Sequence, residues 1–189
     1  MVAVERTALI LLAAGASRRF GAADKLAADV GGRPLGLHVV AALADVPFAA
    51  RIAVVDGCRL DFAAHGYRVI RNDDAASGMA GSIRLGVARA KAEGADAVLI
   101  VLADMPRVTA GHVARLFAAA EDGDAVVASS DGVRPMPPAL FGADRFDALL
   151  ALEGDAGARA MIRAARHVVA NAGVLVDVDT VGDLARVVG

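Results

Sequence analysis

Residues 7–13, Thr-Ala-Leu-Ile-Leu-Leu-Ala, run for seven positions without a charge and without polar–apolar alternation. A strand with one face in water alternates, so this run reads as a strand buried on both faces, as in the centre of a parallel sheet covered by helices. Residues 97–103, Ala-Val-Leu-Ile-Val-Leu-Ala, repeat the pattern. Around these two runs the chain alternates. Short strands are predicted at 51–56, 67–71 and 124–129, and helices at 34–45, at 79–93 and from a Thr109 cap to 121. Alternating β and α segments predict a three-layer α/β fold, a mostly parallel sheet with helices on both faces. Past residue 130 the rhythm changes. Pro135, Pro137 and Pro138 precede a short strand at 139–141, with helical stretches at 143–152 and 155–166. Residues 131–166 therefore read as an excursion from the sheet, a lid or partner-binding surface. A strand at 174–178 and a helix at 181–188 close the chain. No repeat or linker divides the 189 residues, so one domain, 1–189, is expected.

Composition narrows the function classes. Hydrophobic residues make up 57% of the chain, yet no apolar run approaches the ~18 residues of a spanning helix, so no membrane is expected. A net charge of −2 gives no general attraction to nucleic acid. One cysteine, Cys58, cannot build a disulfide framework, and the start Met-Val-Ala-Val-Glu-Arg lacks a signal peptide's apolar core. A cytoplasmic location fits.

Ligands of open α/β sheets bind at the carboxyl ends of the strands. The loop after residue 13 brings Gly15, Ser17, Arg18, Arg19, Gly21 and Lys25 to that rim. Small residues let backbone N–H groups approach an anion and the cations neutralise it, so a polyphosphate is the expected guest. The spacing fits neither the Walker loop nor the dinucleotide fingerprint. Lys25 and Lys91 are the only lysines in an arginine-rich chain, which singles out Lys25 as a compact point charge. Asp104 ends the second buried run and faces the same rim. A carboxylate there either holds Mg²⁺, which takes one or two protein carboxylates beside phosphates and water, or makes a turn before Met105-Pro106. Asp177 and Asp179 lie two apart on the predicted late strand and share a face, a second candidate for metal ligation. Ser77-Gly78-Met79-Ala80-Gly81-Ser82 opens a helix with small residues and either offers N–H groups to a ligand or is N-capped by Ser77. The four histidines show no paired ligand spacing.

Five segments, in order along the chain, together resemble the molybdenum cofactor nucleotidyltransferases. They are Leu12-Ala-Ala-Gly-Ala-Ser-Arg-Arg-Phe-Gly21 with Lys25, Ser77-Gly-Met-Ala-Gly-Ser-Ile-Arg-Leu-Gly86, Leu102-Ala-Asp-Met-Pro106, Gly154-Asp-Ala-Gly-Ala-Arg159 and Val176-Asp-Val-Asp-Thr180. The resemblance implies a glycosyltransferase-A-like nucleotidyltransferase fold. It also implies a nucleotide site at Leu12, Ala13, Ala14, Gly15, Ser17, Arg19, Lys25, Ser77, Gly78, Ser82 and Asp104, with Arg19 and Lys25 neutralising phosphates. Asp104 would hold Mg²⁺, with Asp177 or Asp179 as second ligand. The implied reaction is attack by an acceptor phosphate on the α-phosphorus of a nucleoside triphosphate, with release of pyrophosphate. The acceptor would be a phosphorylated pterin, residues 131–166 would lie on its side of the site, and a molybdenum enzyme would receive the product.

Ala13-Ala14 stands where guanylyl-transferring members usually carry paired glycines. It resembles the cytidylyl branch, and methyl groups beside the base favour a pyrimidine, so CTP is expected. Two departures bear on the acceptor end. Met136-Pro137-Pro138 replaces the usual Gly-His-Pro, and Val181-Gly182 replaces Pro-Glu. The alternatives are a guanylyl or sugar-phosphate nucleotidyltransferase and, from another class, a non-catalytic carrier that delivers cofactor to a molybdenum enzyme.

Overall fold

The computed structural model describes residues 1–14, 24–154, 157–178 and 182–183. Strands run in chain order β1 (Thr7–Ala13), β2 (Asp29–Val30), β3 (Arg33–Pro34), β4 (Ala50–Val55), β5 (Arg68–Arg71), β6 (Ala97–Leu102), β7 (Val126–Ser130), β8 (Pro135–Gly142) and β9 (Arg166–Val169). Helices are α1 (His38–Ala42), α2 (Gly78–Ala92), α3 (Ala110–Ala119), α4 (Phe146–Leu150) and α5 (Arg159–Ala164).

Seven strands form one sheet in the order β5-β4-β1-β6-β8-β7-β9. β1 is buried at every position and runs parallel to β4 and β6, which confirms the reading of its unbroken apolar run. Among the described strands of this sheet, only β8 runs against its neighbours. Its first residues therefore reach the rim where the other strands end. The two faces of β1 feed separate cores. Leu9 and Leu11 pack with Val39 and Val40 of α1 and Val113 and Leu116 of α3, while Ile10 and Leu12 pack with Ile83 and Val87 of α2, Leu149 of α4 and Ile162 of α5. The predicted three-layer α/β fold is the one observed. Among the described residues no helix is long and apolar enough to cross a membrane.

Four local expectations change. The predicted helix at 34–45 shrinks to α1. Gly31 and Gly32, at φ 59° and 85°, make a turn that pairs Asp29 with Pro34 and so draws the proline into β3. The strand at 139–141 lengthens into β8, which lies within the sheet rather than leaving it. Its prolines fit because the β7–β8 register jumps from Ala128↔Ala139 to Ser129↔Met136, so Pro137 and Pro138 sit in an irregularity that asks no N–H of them. The helix at 155–166 is only α5, and its last residue instead begins β9, an edge strand parallel to β7. Residues 174–178 form no strand, and the predicted helix at 181–188 lies outside the described residues apart from 182–183.

Under β8 lies a buried polar chain. Ser129 Oγ donates to the Pro138 carbonyl at 2.8 Å and lies 2.8 Å from His112 Nε2. The hydroxyl has one proton and a carbonyl only accepts, so Nε2 carries the imidazole hydrogen. Nδ1 is left buried without a partner among the described residues. Burial, and then the charge of Arg115, lower the pKa of His112 from the ordinary value of 6.5. The neutral ring is the folded form, so below pH 6.5 the unfolded chain takes up the proton first and stability falls with pH. Melting temperatures followed from pH 7.5 to 5 should fall more steeply for the native protein than for His112→Gln, which has no proton to gain there.

Candidate active site

Two strand ends, the Lys25 turn and the late segment converge on Asp104. Leu12 of β1 stands beside Leu102 of β6, and the Ala103 N–H donates to the Leu12 carbonyl at 3.0 Å. Asp104 thus leaves the sheet beside Ala13, which is buried, and Ala14, which is partly exposed. Its Oδ2 accepts from Lys25 Nζ at 2.7 Å across 79 positions of sequence, on the rim where the sequence places both residues, although their pairing was not expected. The two side chains are 13% and 23% exposed, so the pair is largely but not wholly shielded from water. Lys25 opens a single 3₁₀ turn that Asp24 caps, its carboxylate accepting from Leu26 N–H at 3.1 Å and from Arg59 N–H at 2.9 Å. Asp24 so ties the turn to the loop after β4 and sets where the Lys25 ammonium stands. Sequence reading passed over it, although an aspartate before a short turn is a cap signature.

The other carboxylate oxygen of Asp104 is buried with no partner among the described residues. A buried carboxylate oxygen without a donor is costly unless a ligand completes it. The late segment also comes here, because the Val178 N–H donates to the Asp104 carbonyl at 3.1 Å. That puts Asp177, an exposed carboxylate, one residue from this contact. Hard oxygen ligands of this kind fit Mg²⁺, which asks for one or two protein carboxylates and completes its shell with phosphates and water. Among the described residues no three His, Cys, Asp or Glu side chains gather into a cation cage.

At the start of α2, Gly78 has φ 57°, a conformation that suits glycine. Ser77 does not cap the helix with its side chain. Its hydroxyl donates to the Asp74 carbonyl at 2.6 Å instead. Ser82 is buried, with Oγ accepting from Asn72 Nδ2 at 3.0 Å, and Asn72 also braces the turn through its Oδ1, which accepts from Asp74 N–H at 3.1 Å. Asn72 is thus the organiser of this corner, and only the turn-rich run Asn72-Asp73-Asp74 hinted at it. Gly15, Ser17, Arg18, Arg19, Gly21 and Asp179 lie outside the described residues.

The model of the MobA-like NTP transferase domain matches residues 9–169, which include Asp104, the Lys25 turn and the start of α2 but not the late segment at Asp177 and Val178. The chain belongs to this family. MobA-like NTP transferases are nucleotidyltransferases, and the enzyme class is thereby settled, so the non-catalytic carrier is set aside. A molybdenum cofactor guanylyltransferase of Cereibacter sphaeroides is 33% identical over 186 residues, 94% of this chain and 93% of that protein. A probable molybdenum cofactor guanylyltransferase of Haloferax mediterranei is 36% identical over 137 residues, 68% and 62% of the two chains. Among solved structures, a homolog of Mycobacterium tuberculosis Rv0371c from Mycobacterium sp. strain JC1 superposes with a TM-score of 0.80 at 27% identity, covering 98% of each chain. This MobA-like transferase therefore places a lysine–aspartate pair at the carboxyl rim of its sheet, with one aspartate oxygen left for a further partner.

Proposed function

We propose that this transferase moves CMP from CTP onto a phosphorylated pterin-type acceptor, molybdopterin, in a Mg²⁺-dependent reaction of molybdenum cofactor biosynthesis. The observation that carries the reading is the half-satisfied Asp104 beside Lys25 at the rim. An acceptor phosphate oxygen bonds to the α-phosphorus, the α–β phosphoanhydride bond breaks, and pyrophosphate departs with the bonding electrons. Negative charge grows on the leaving group, so the work of the protein is positioning and electrostatics. Lys25 and Arg19 neutralise the phosphates, while Gly15, Ser17, Ser77, Gly78 and Ser82 belong to the nucleotide's surroundings, Ser82 by holding the α2 corner through Asn72. Asp104, with Asp177 or Asp179, holds the cation, which supplies Lewis-acid neutralisation of the phosphates. The reaction is placed in the cytoplasm, with a molybdenum enzyme as recipient of the product.

Guanylyl transfer is the second reading, favoured by the names of the relatives in Cereibacter and Haloferax. The choice rests on Ala13-Ala14. Calorimetry with CTP, GTP and ATP in parallel separates the two, and selective GTP binding would overturn the cytidylyl reading. One methyl in a closed pocket discriminates by tenfold or more, so Ala13→Gly with Ala14→Gly should shift the CTP-to-GTP preference toward GTP by about tenfold.

A further inference from the structure

β8 loses its ladder where it reaches the rim. Its pairing with β6 ends at Ile100↔Ala139, so among the described residues Pro135 to Pro138 have no partner on that side. On the other side Ala128 pairs with Ala139 and Ser129 with Met136, which leaves Pro137 and Pro138 as two extra residues opposite no residue of β7. Neither has an N–H to offer. Pro138 is tied down by a side chain instead, since the Ser129 hydroxyl donates to its carbonyl at 2.8 Å. Ser129 is itself held. Its one proton goes to that carbonyl, so its oxygen accepts from His112 Nε2 at 2.8 Å. Ser129 is fully buried and His112 is 4% exposed, an environment in which a hydrogen bond is strong and an unmade one costly. His112 is fixed in turn by its place in α3. Its N–H donates at 3.2 Å to the hydroxyl of Thr109, the cap of a helix that begins shortly after Asp104-Met105-Pro106. A relay therefore runs from the Asp104 side of the rim, through the first turn of α3 and through β7, to the extra residues of β8. Beside its far end Met136 and Pro137 line a cavity of about 340 Å³ together with Leu12 and Leu102, the β1 and β6 ends.

We propose that His112 and Ser129 are positioning residues for the transfer reaction. They touch no substrate. By fixing the Pro138 carbonyl they set where Met136 and Pro137 stand relative to the Asp104 end of the rim, and a small displacement there is enough to spoil the fit of a bound reactant. The inference rests on the reading of residues 131–166 as the acceptor side, so the relay serves the acceptor and not the nucleotide, whose proposed surroundings lie on β1, the Lys25 turn and α2. It also gives the buried polar chain a task beyond stability, because an apolar pair at 112 and 129 would fill the same space without holding a carbonyl.

Two measurements on the full chain test it, steady-state transfer from CTP or GTP onto molybdopterin and the ¹³C-methyl NMR spectrum of its five methionines. Ser129→Ala should raise the KM for molybdopterin by about tenfold and leave kcat and the nucleotide KM unchanged. It should also move the methyl signal of Met136 on β8 but not that of Met79, which lines the same cavity from α2. His112→Leu should raise the same KM, whereas His112→Gln, whose amide can still donate to Ser129, should stay near native. Because the two residues act in series, His112→Leu combined with Ser129→Ala should be no worse than Ser129→Ala alone. A fall in kcat with both KM values unchanged, or a moved Met136 signal with an unchanged molybdopterin KM, would make the relay a structural brace and overturn the proposal. A parallel rise in the nucleotide KM would overturn it as well. A native protein that transfers neither nucleotide onto molybdopterin would instead defeat the reaction proposed above, and the relay's part in it would fall even if the Met136 signal moves.

Discussion

Asp104→Asn should lower pyrophosphate release by about a thousandfold or more, the scale on which losing a preorganised charge at a developing anion is felt. The substitution keeps the shape of the side chain and an oxygen toward Lys25, so the loss reports charge and not packing. The native carboxylate does two things at once. One oxygen anchors the Lys25 ammonium at 2.7 Å, and the other is buried and open to a cation. Mn²⁺, whose electron paramagnetic resonance signal reads binding directly, should bind the native protein with nucleotide and bind the variant much more weakly. Turnover and Mn²⁺ affinity both at native levels in Asp104→Asn would remove the aspartate from the chemistry. A fall in turnover with Mn²⁺ affinity intact would assign it to positioning Lys25 alone.

Gly142→Ala should be the most damaging single methyl in the fold. β8 ends at Gly142, where its N–H donates to the Ala125 carbonyl at 2.9 Å and the chain crosses the turn leading into β7. A Cβ there would fall on the Gly123 carbonyl oxygen and within 2.9 Å of the Gly123 Cα. Both are backbone atoms, fixed further by the Asp144 N–H donating to the same carbonyl at 3.1 Å, so no side chain can swing away. Overpacking against rigid backbone costs about 3 kcal/mol, which for a chain of this length lowers the melting temperature by roughly 6–12 °C. Gly111→Ala in α3, where an added Cβ meets nothing within 4 Å, is the control and should leave the melting temperature unchanged or slightly raised. Equal melting curves for the two variants would show that the Gly123 crossing yields.

The parallel half of the molecule was legible because burial on both faces leaves one pattern, an unbroken apolar run, and β1 and β6 both carry it. That Lys25 and Asp104 share a rim was legible for a related reason, since strand ends in such a sheet share one, but their direct pairing was not. Elements whose form depends on a neighbour were not legible. β8 carries prolines that argue against a strand, and only the register jump in β7 makes them acceptable. β9 is four residues at an edge, too short to show a period. Residues 174–178 have the alternation of a strand, but β9 occupies the sheet edge beside β7, and their backbone bonds run instead from Val174 to Asn171 and from Val178 to Asp104. Asp24 and Asn72 act through backbone N–H groups and through a neighbouring hydroxyl, partners that a list of chemically suggestive side chains does not contain.

The reversed direction of β8 divides the rim into two kinds of chain. The half that holds Lys25 and Asp104 is made where strands end, in loops that a central strand must feed. The other half is made where a strand begins, in the hairpin of residues 131–134 and the first residues of β8, at the far side of the sheet from the Lys25 turn. A hairpin tolerates changes of length and side chain that a central strand does not. The architecture is in this sense a chassis with one fixed tool and one exchangeable jaw, and a few residues between Asp131 and Pro137 can be recut while the strands that carry the Lys25–Asp104 pair stay as they are.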